Sequence, residues 1–302
     1  ESLAVKENLA SSSAVSMVKV LLDLCKVKIT LFVAMTTALG FITGSYMFGA
    51  GILFPVIGIF LLACGASALN QVQEADSDIL MDRTKHRPIP AGLISRKAAF
   101  VVSLAIIVLG SAVILLGSNI ECLIIGLITL FWYNGIYTPL KKVTPFAIIP
   151  GALVGALPPV AGWVASGANI LSPQIWLLAL YMFMWQIPHF WILVMIYGDD
   201  YEKGGYPTLK SKFSAEQLKK ITFFWILPTV SVALLIPVSG ILNFNITSFI
   251  IFALSVWFIF ESYKFLKAPS EKKNLFNTFV RINIYTLVII TSVSIDKLVK
   301  IL

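Results

Sequence analysis

The chain has 302 residues, 58% of them hydrophobic and only 13% charged, with a mean hydropathy of +0.89. A water-soluble domain is about a quarter charged, so this composition excludes one and points to a membrane protein. The net charge of +8 is not read as a nucleic-acid footprint, because the bases are confined to alternate loops.

In chain order, apolar runs of membrane-crossing length lie near 29–48, 51–70, 98–117, 120–137, 145–165, 174–196, 220–239, 243–263 and 279–296. A spanning helix needs about 20 apolar residues, and runs without period-2 alternation read as helices rather than barrel strands. The fifth run is the weakest, interrupted by Pro145, Pro150, Pro158 and Pro159. The predicted fold is all-α: a polytopic bundle of nine transmembrane helices around a central cavity. An N-terminal segment (1–28) precedes a single domain (29–302).

Lys and Arg concentrate before the first run and in the loops at 71–97, 138–144, 197–219 and 264–278, while the loops around Gly49, Gly117, Gly167 and Asn243 contain none. That alternation places the N-terminus and the basic loops on the cytoplasmic side; Lys297 and Lys300 at the outer end are a small mismatch. Residues 1–28 lack a signal-peptide core, and Glu1, Glu7 and Asp23 argue against a mitochondrial transit peptide, which favours a bacterial inner membrane. Cys25, Cys64 and Cys122 fit no disulfide or zinc spacing and read as packing residues.

The densest charge follows the second run, in "ALNQVQEADSDILMDRTKHRPIPAG". Asn70, Glu74, Asp78 and Asp82 recur every four residues and share one helix face. Like charges at that spacing destabilise a helix unless something sits among the oxygens, and Mg²⁺ takes one or two carboxylates together with phosphate oxygens. The plain alternative is a solvated acidic helix end. Arg83, Lys85, His86 and Arg87 come next. Such bases suit a diphosphate, or equally simple anchoring at the membrane face. Two further clusters lie on the same side: Tyr137 and Lys141 in "YTPLKK", and Asp199 and Asp200 in "YGDDYEKGG". Inside the sixth run, "WQIPHFW" buries Gln186 and His189 around Pro188. Intramembrane polar groups are functional by default, although here they have a structural alternative, satisfying carbonyls that the proline frees. Trp132, Tyr133, Trp185, Phe190 and Trp191 would line a cavity for an isoprenoid or a flat ring, or simply pack.

Asn70 with acids at +4 and +8, "RPIPAG", and Tyr137-x-x-x-Lys141 together resemble the UbiA superfamily of intramembrane prenyltransferases. "MDRTKHRPIP", "YTPLKK" and "WQIPHFWILVMIYGDDYEKGGYPTL" are similar to the branch that farnesylates protoheme IX, from "CKVKIT" at residue 25 through the last run. The resemblance implies transfer of farnesyl from farnesyl diphosphate to a vinyl group of haem B, with addition of water. It implies Mg²⁺ held by Asn70, Glu74 and Asp78, a leaving group neutralised by Lys141 and oriented by Tyr137, and substrate contacts from Lys28, Arg83, Lys85, His86, Arg87, Gln186, His189, Asp199 and Asp200. His189 or His86 would ligate the haem iron. The lipid bilayer, haem A synthase and terminal-oxidase assembly factors are the implied partners, and no nucleic acid. Two departures stand out: the first acid is Glu74 where Asp is commoner, and Tyr197 and Tyr201 occupy the positions of a second acidic motif, which leaves a second Mg²⁺ unassigned. An aromatic prenyltransferase of quinone biosynthesis is the nearest rival. An intramembrane carrier predicts midplane charges and internal repeats, which the sequence does not display.

Overall fold

The computed structural model describes residues 17–45 and 49–301. The readings of Glu1 and Glu7 lie outside the described residues. A short helix, α1 (17–24), leads into α2 (Val27–Gly44), α3 (Leu53–Asp78), α4 (Arg96–Gly117) and α5 (Ile120–Phe131). A π-helical turn (Trp132–Tyr137) joins α5 to α6 (Thr138–Leu140). There follow α7 (Ile148–Ala165), α8 (Pro173–Lys203), α9 (Ala215–Leu235), α10 (Asn245–Lys267) and α11 (Lys272–Ile301). Among the described residues nine helical segments are long and apolar enough to cross a membrane. The protein is a multi-pass integral membrane protein.

Among the described residues a helix covers most of each of the nine runs expected from the sequence, and three helices continue seven or more residues past them. The helix of the second run continues to Asp78, that of the sixth to Lys203, and that of the ninth starts at Lys272. In α3 the added turns carry carboxylates that are paired with cations, so the charges do not end the helix.

The proline-broken fifth run is nevertheless α7, with Pro158 and Pro159 inside it, and it is the most enclosed of the nine. Close backbone packing explains why it holds. A Cβ at Gly40 of α2 would lie 1.8 Å from the Pro159 carbonyl oxygen, and one at Gly162 of α7 would lie 1.9 Å from that of Thr37. Small residues at such crossings let dispersion replace the hydrophobic drive that lipid does not supply.

The helix break between α1 and α2 sits at Cys25 and Lys26, and Lys26 adopts φ 48°, a left-handed conformation that costs about 1 kcal/mol for a side chain of this kind. Leu24, fully buried against Ala68 and Ala99, fixes α1 to the bundle. Gln71 of α3 donates to the Asp23 and Leu24 carbonyls at 2.9 Å each, closing the end of α1. Residues 17–28 therefore pack on the bundle rather than standing apart from it.

Candidate active site

The face of α3 that carries the four-residue spacing is turned inward. Asn70, Glu74 and Asp78 are buried at 1%, 5% and 0% exposure, whereas Asp82, beyond the helix end, is exposed. Carboxylates this deep must be paired, and each has a partner of its own. Glu74 is ion-paired with Lys141. Asp78 accepts both its bonds from Arg87 Nη1, at 2.8 and 2.7 Å. Asn70 Oδ1 accepts from Lys26 Nζ at 2.9 Å, while its amide donates to Thr138 Oγ1 at 3.1 Å. Lys26 reaches Asn70 from the left-handed break that precedes α2. Burial, with the Arg87 guanidinium nearby, pushes its ammonium down to about 7 against the pull of Glu74.

The π-turn positions the third cluster. Its buried Asn134 donates to the Ala66 carbonyl and to Gln73 Oε1, both at 3.0 Å, which locks the turn onto α3. Tyr137 packs on Gly151, where a Cβ would come within 2.4 Å of its ring. Lys141 Nζ lies 5.1 Å from the Tyr137 ring centre and 5.8 Å from that of Tyr206. Tyr206 is a buried neighbour that the sequence reading missed; Lys26 is the other.

The loop after α3 is gripped by the C-terminal turns of α8. Asp200 accepts from the backbone amides of Asp82 and Arg83 at 2.6 and 3.0 Å. Arg83 lies over the rings of Tyr197 and Tyr201 at 5.3 and 5.5 Å and donates to the Tyr201 hydroxyl at 3.1 Å. Asp82 bridges Lys85 and Lys203 at 2.7 Å each; these ammoniums, Lys203 foremost, hold its carboxyl down at about 2. Not every predicted residue joins the site. Asp199 points outward and pairs with Lys210, and Lys28 and His86 are exposed. Lys26 stands where Lys28 was expected.

Deeper in the bundle, His189 of α8 is ringed by Trp185, Phe190 and Phe279 at 4.9, 5.3 and 4.8 Å, with Asn283 as its polar neighbour. Gln186 fits because residue 155 is glycine: a Cβ there would lie 2.0 Å from its Nε2. Its Oε1 is buried without a hydrogen-bond partner. The structural alternative for this pair is set aside by Thr229 of α9. Pro188 frees the carbonyl four residues back, that of Met184, and Thr229 Oγ1 donates to it at 3.0 Å. Gln186 and His189 are not needed for that task. His189 lies eight residues before Tyr197, about 12 Å along the helix at 1.5 Å per residue. Of the expected cavity aromatics, Trp191 packs edge-on against Trp225 instead, and Trp132 donates to the Pro150 carbonyl at 2.8 Å.

Residues 29–285 match the model of the UbiA prenyltransferase family. The chain belongs to the UbiA prenyltransferase family. Within curated members, it is 34% identical over 290 residues to the protoheme IX farnesyltransferase of Bdellovibrio bacteriovorus, covering 93% of this chain and 97% of that protein. It is 33% identical over 291 residues to the protoheme IX farnesyltransferase of Christiangramia forsetii, covering 92% and 93%. A UbiA homologue from Archaeoglobus fulgidus, solved bound to GPP and Mg²⁺, superposes with a TM-score of 0.69 at 18% identity, over 91% of this chain and 99% of that one. In this structure the acidic face of α3 lies beside the π-turn, and the loop that follows α3 is held by the end of α8.

The donor set is compatible with a Mg²⁺–diphosphate complex. Its oxygens are hard ligands of the type Mg²⁺ prefers. Among the described residues no three His, Cys, Asp or Glu side chains are close enough to hold a metal unaided, so an ion here would need substrate oxygens as well. Arg87 and Lys141 neutralise the two carboxylates, and Lys26 adds a third basic group beside Asn70, a set that suits an anionic ligand.

Proposed function

We propose that the chain transfers the farnesyl group of farnesyl diphosphate to a vinyl group of haem B, the reaction denoted by the name of its relatives. The observation that carries the site assignment is the buried column of Asn70, Glu74 and Asp78, each oxygen set held by its own cation. Bound Mg²⁺ would neutralise diphosphate charge and ease heterolysis of the allylic C–O bond. Asn70, Glu74 and Asp78 would hold it. Lys141, Arg87 and Lys26 exchange their carboxylate and amide partners for diphosphate oxygens and stabilise the charge that develops there as the bond breaks. Tyr137 keeps the Lys141 ammonium in place. Arg83, clamped by Tyr197 and Tyr201, brings its guanidinium to the mouth of the site and holds the loop after α3 over the leaving group.

The C–O electron pair departs with diphosphate, and the farnesyl cation accepts the vinyl π electrons of haem to form a carbon–carbon bond. The positive charge moves to the carbon next to the porphyrin ring, where water adds and loses a proton to give the hydroxyl product. Trp185, Phe190 and Phe279 exclude water from the deeper region around His189, which is the apolar place for an isoprenoid chain or a porphyrin face. The N-terminus and the basic loops face the cytoplasm of a bacterial inner membrane in this reading, supported by the alternation of Lys and Arg.

The test is a detergent-solubilised assay with haem B, farnesyl diphosphate and Mg²⁺, following the haem product by mass. A hydroxyfarnesylated haem is expected with wild type and not when Mg²⁺ is chelated. Protein that leaves haem unmodified but prenylates a hydroxybenzoate would replace this reading with the aromatic prenyltransferase.

A further inference from the structure

Outside the catalytic cluster, the basic-face ends of α9 and α10 and the turn after α10 line a pocket of about 240 Å³. Lys219, Lys220, Lys267, Ser270 and Glu216 supply its polar lining, and none of them belongs to the catalytic cluster. Three ammoniums face one carboxylate. The amides of the first turn of α9 are closed by the Ser214–Gln217 capping box, so the positive field comes from side chains rather than from a helix end. Lys219 is 5% exposed and donates to the Ala268 carbonyl at the end of α10, which fixes one wall of the pocket.

The surroundings say what kind of anion fits. Phe224 lies one turn along α9 from Lys220 and is 65% exposed, and Phe260 on α10 is 59% exposed, in segments that cross the membrane. Lys264 and Lys267 lie over the rings of Phe260 and Tyr263 at 4.5 and 4.6 Å, stems along the apolar surface and charges at its edge. The pocket is therefore positive directly above an apolar wall. Basic pockets between helices at this membrane face suit lipid phosphates.

We propose that this pocket binds a phosphate group, presented by an anionic phospholipid whose acyl chains lie against Phe224 and Phe260. The test uses the full chain in phosphatidylcholine nanodiscs doped with phosphatidylglycerol, counting retained phosphatidylglycerol per protein by native mass spectrometry. Lys220→Gln/Lys267→Gln is compared with wild type and with a charge-matched control, Lys97→Gln/Lys212→Gln; Lys219 is left alone because its buried bond shapes the fold. Each lysine that contacts the lipid phosphate contributes roughly fivefold, so the pocket variant should lose about 30-fold in affinity, while the control, whose lysines line no part of the pocket, keeps its lipid. Competition with inorganic phosphate separates the sources. Lipid retained against phosphate supports the phospholipid, and lipid displaced by it supports a pocket that also accepts free phosphate. Equal retention by wild type and the pocket variant, or equal loss in the control, overturns the proposal.

Discussion

The two acidic clusters on the basic face, Glu74 with Asp78 and Asp199 with Asp200, have the same chemistry in the sequence and opposite fates in the structure. Glu74 and Asp78 lie on an inward helix face, buried, each neutralised by a cation from a different element. Asp199 is turned to solvent against Lys210, and Asp200 spends both oxygens on backbone amides of the facing loop. The first pair is buried and cation-paired, as the proposed diphosphate site requires; of the second, only Asp200 holds a loop. What separates them is burial. A carboxylate in a low-dielectric site exerts a large, directed field, while an exposed one is screened by water and salt.

The largest expected effect that sharpens this contrast is that of Asp78→Asn. It leaves Arg87 partly buried without its bidentate partner, which costs about 3 kcal/mol of stability, and removes a proposed metal oxygen. Turnover of farnesyl diphosphate should fall by about 10³, the upper range for loss of one preorganised electrostatic group, and the thermal midpoint should drop. Asp200→Ala comes next. It frees the two loop amides without touching the column, so a loss of roughly tenfold in kcat/KM is expected from misplacement of Arg83, with greater protease sensitivity in the loop at 79–95. Asp199→Asn removes only a screened surface pair, and its activity should stay within about twofold of wild type. A large loss there would erase the distinction between the clusters.

The smallest effect is one of pH. The Asp82 carboxyl is held down at about 2 by Lys203 and Lys85, so its contribution to loop docking is complete above the ordinary carboxylate range and is lost as pH falls through about 2. Pepsin should leave the loop at 79–95 intact at pH 4 and cut it near pH 2 in wild type. In Asp82→Asn the loop should already be cut at pH 4.

The helices and the acidic column were legible in the sequence because both are written in local spacing: apolar length for a span, and a four-residue repeat, close to one 3.6-residue turn, for Asn70, Glu74 and Asp78. Lys26 was not legible. Its reach to Asn70 depends on a left-handed break that no residue type announces, and Lys28, two positions on, looked equally basic. The separate fates of Asp199 and Asp200 were also hidden, because Asp200 turns on a loop more than a hundred residues earlier in the chain and Asp199 on Lys210 in the segment after α8. Pro188 gave a signal that pointed two ways, and only the Thr229 hydroxyl on a neighbouring helix decides which groups are free. The surplus turns of α3 escaped the apolar-length rule because tertiary ion pairs, not side-chain hydropathy, keep those carboxylates inside.

The most direct test of the contrast is metal binding itself, measured as Mn²⁺ bound by electron paramagnetic resonance in the presence of farnesyl thiodiphosphate, which resists ionisation. Wild type and the Asp199→Asn/Asp200→Asn variant should both bind the ion, and Asp78→Asn and Glu74→Gln should not. Binding that survives in Asp78→Asn and Glu74→Gln but vanishes in the Asp199→Asn/Asp200→Asn variant would contradict the account and move the metal to the second loop.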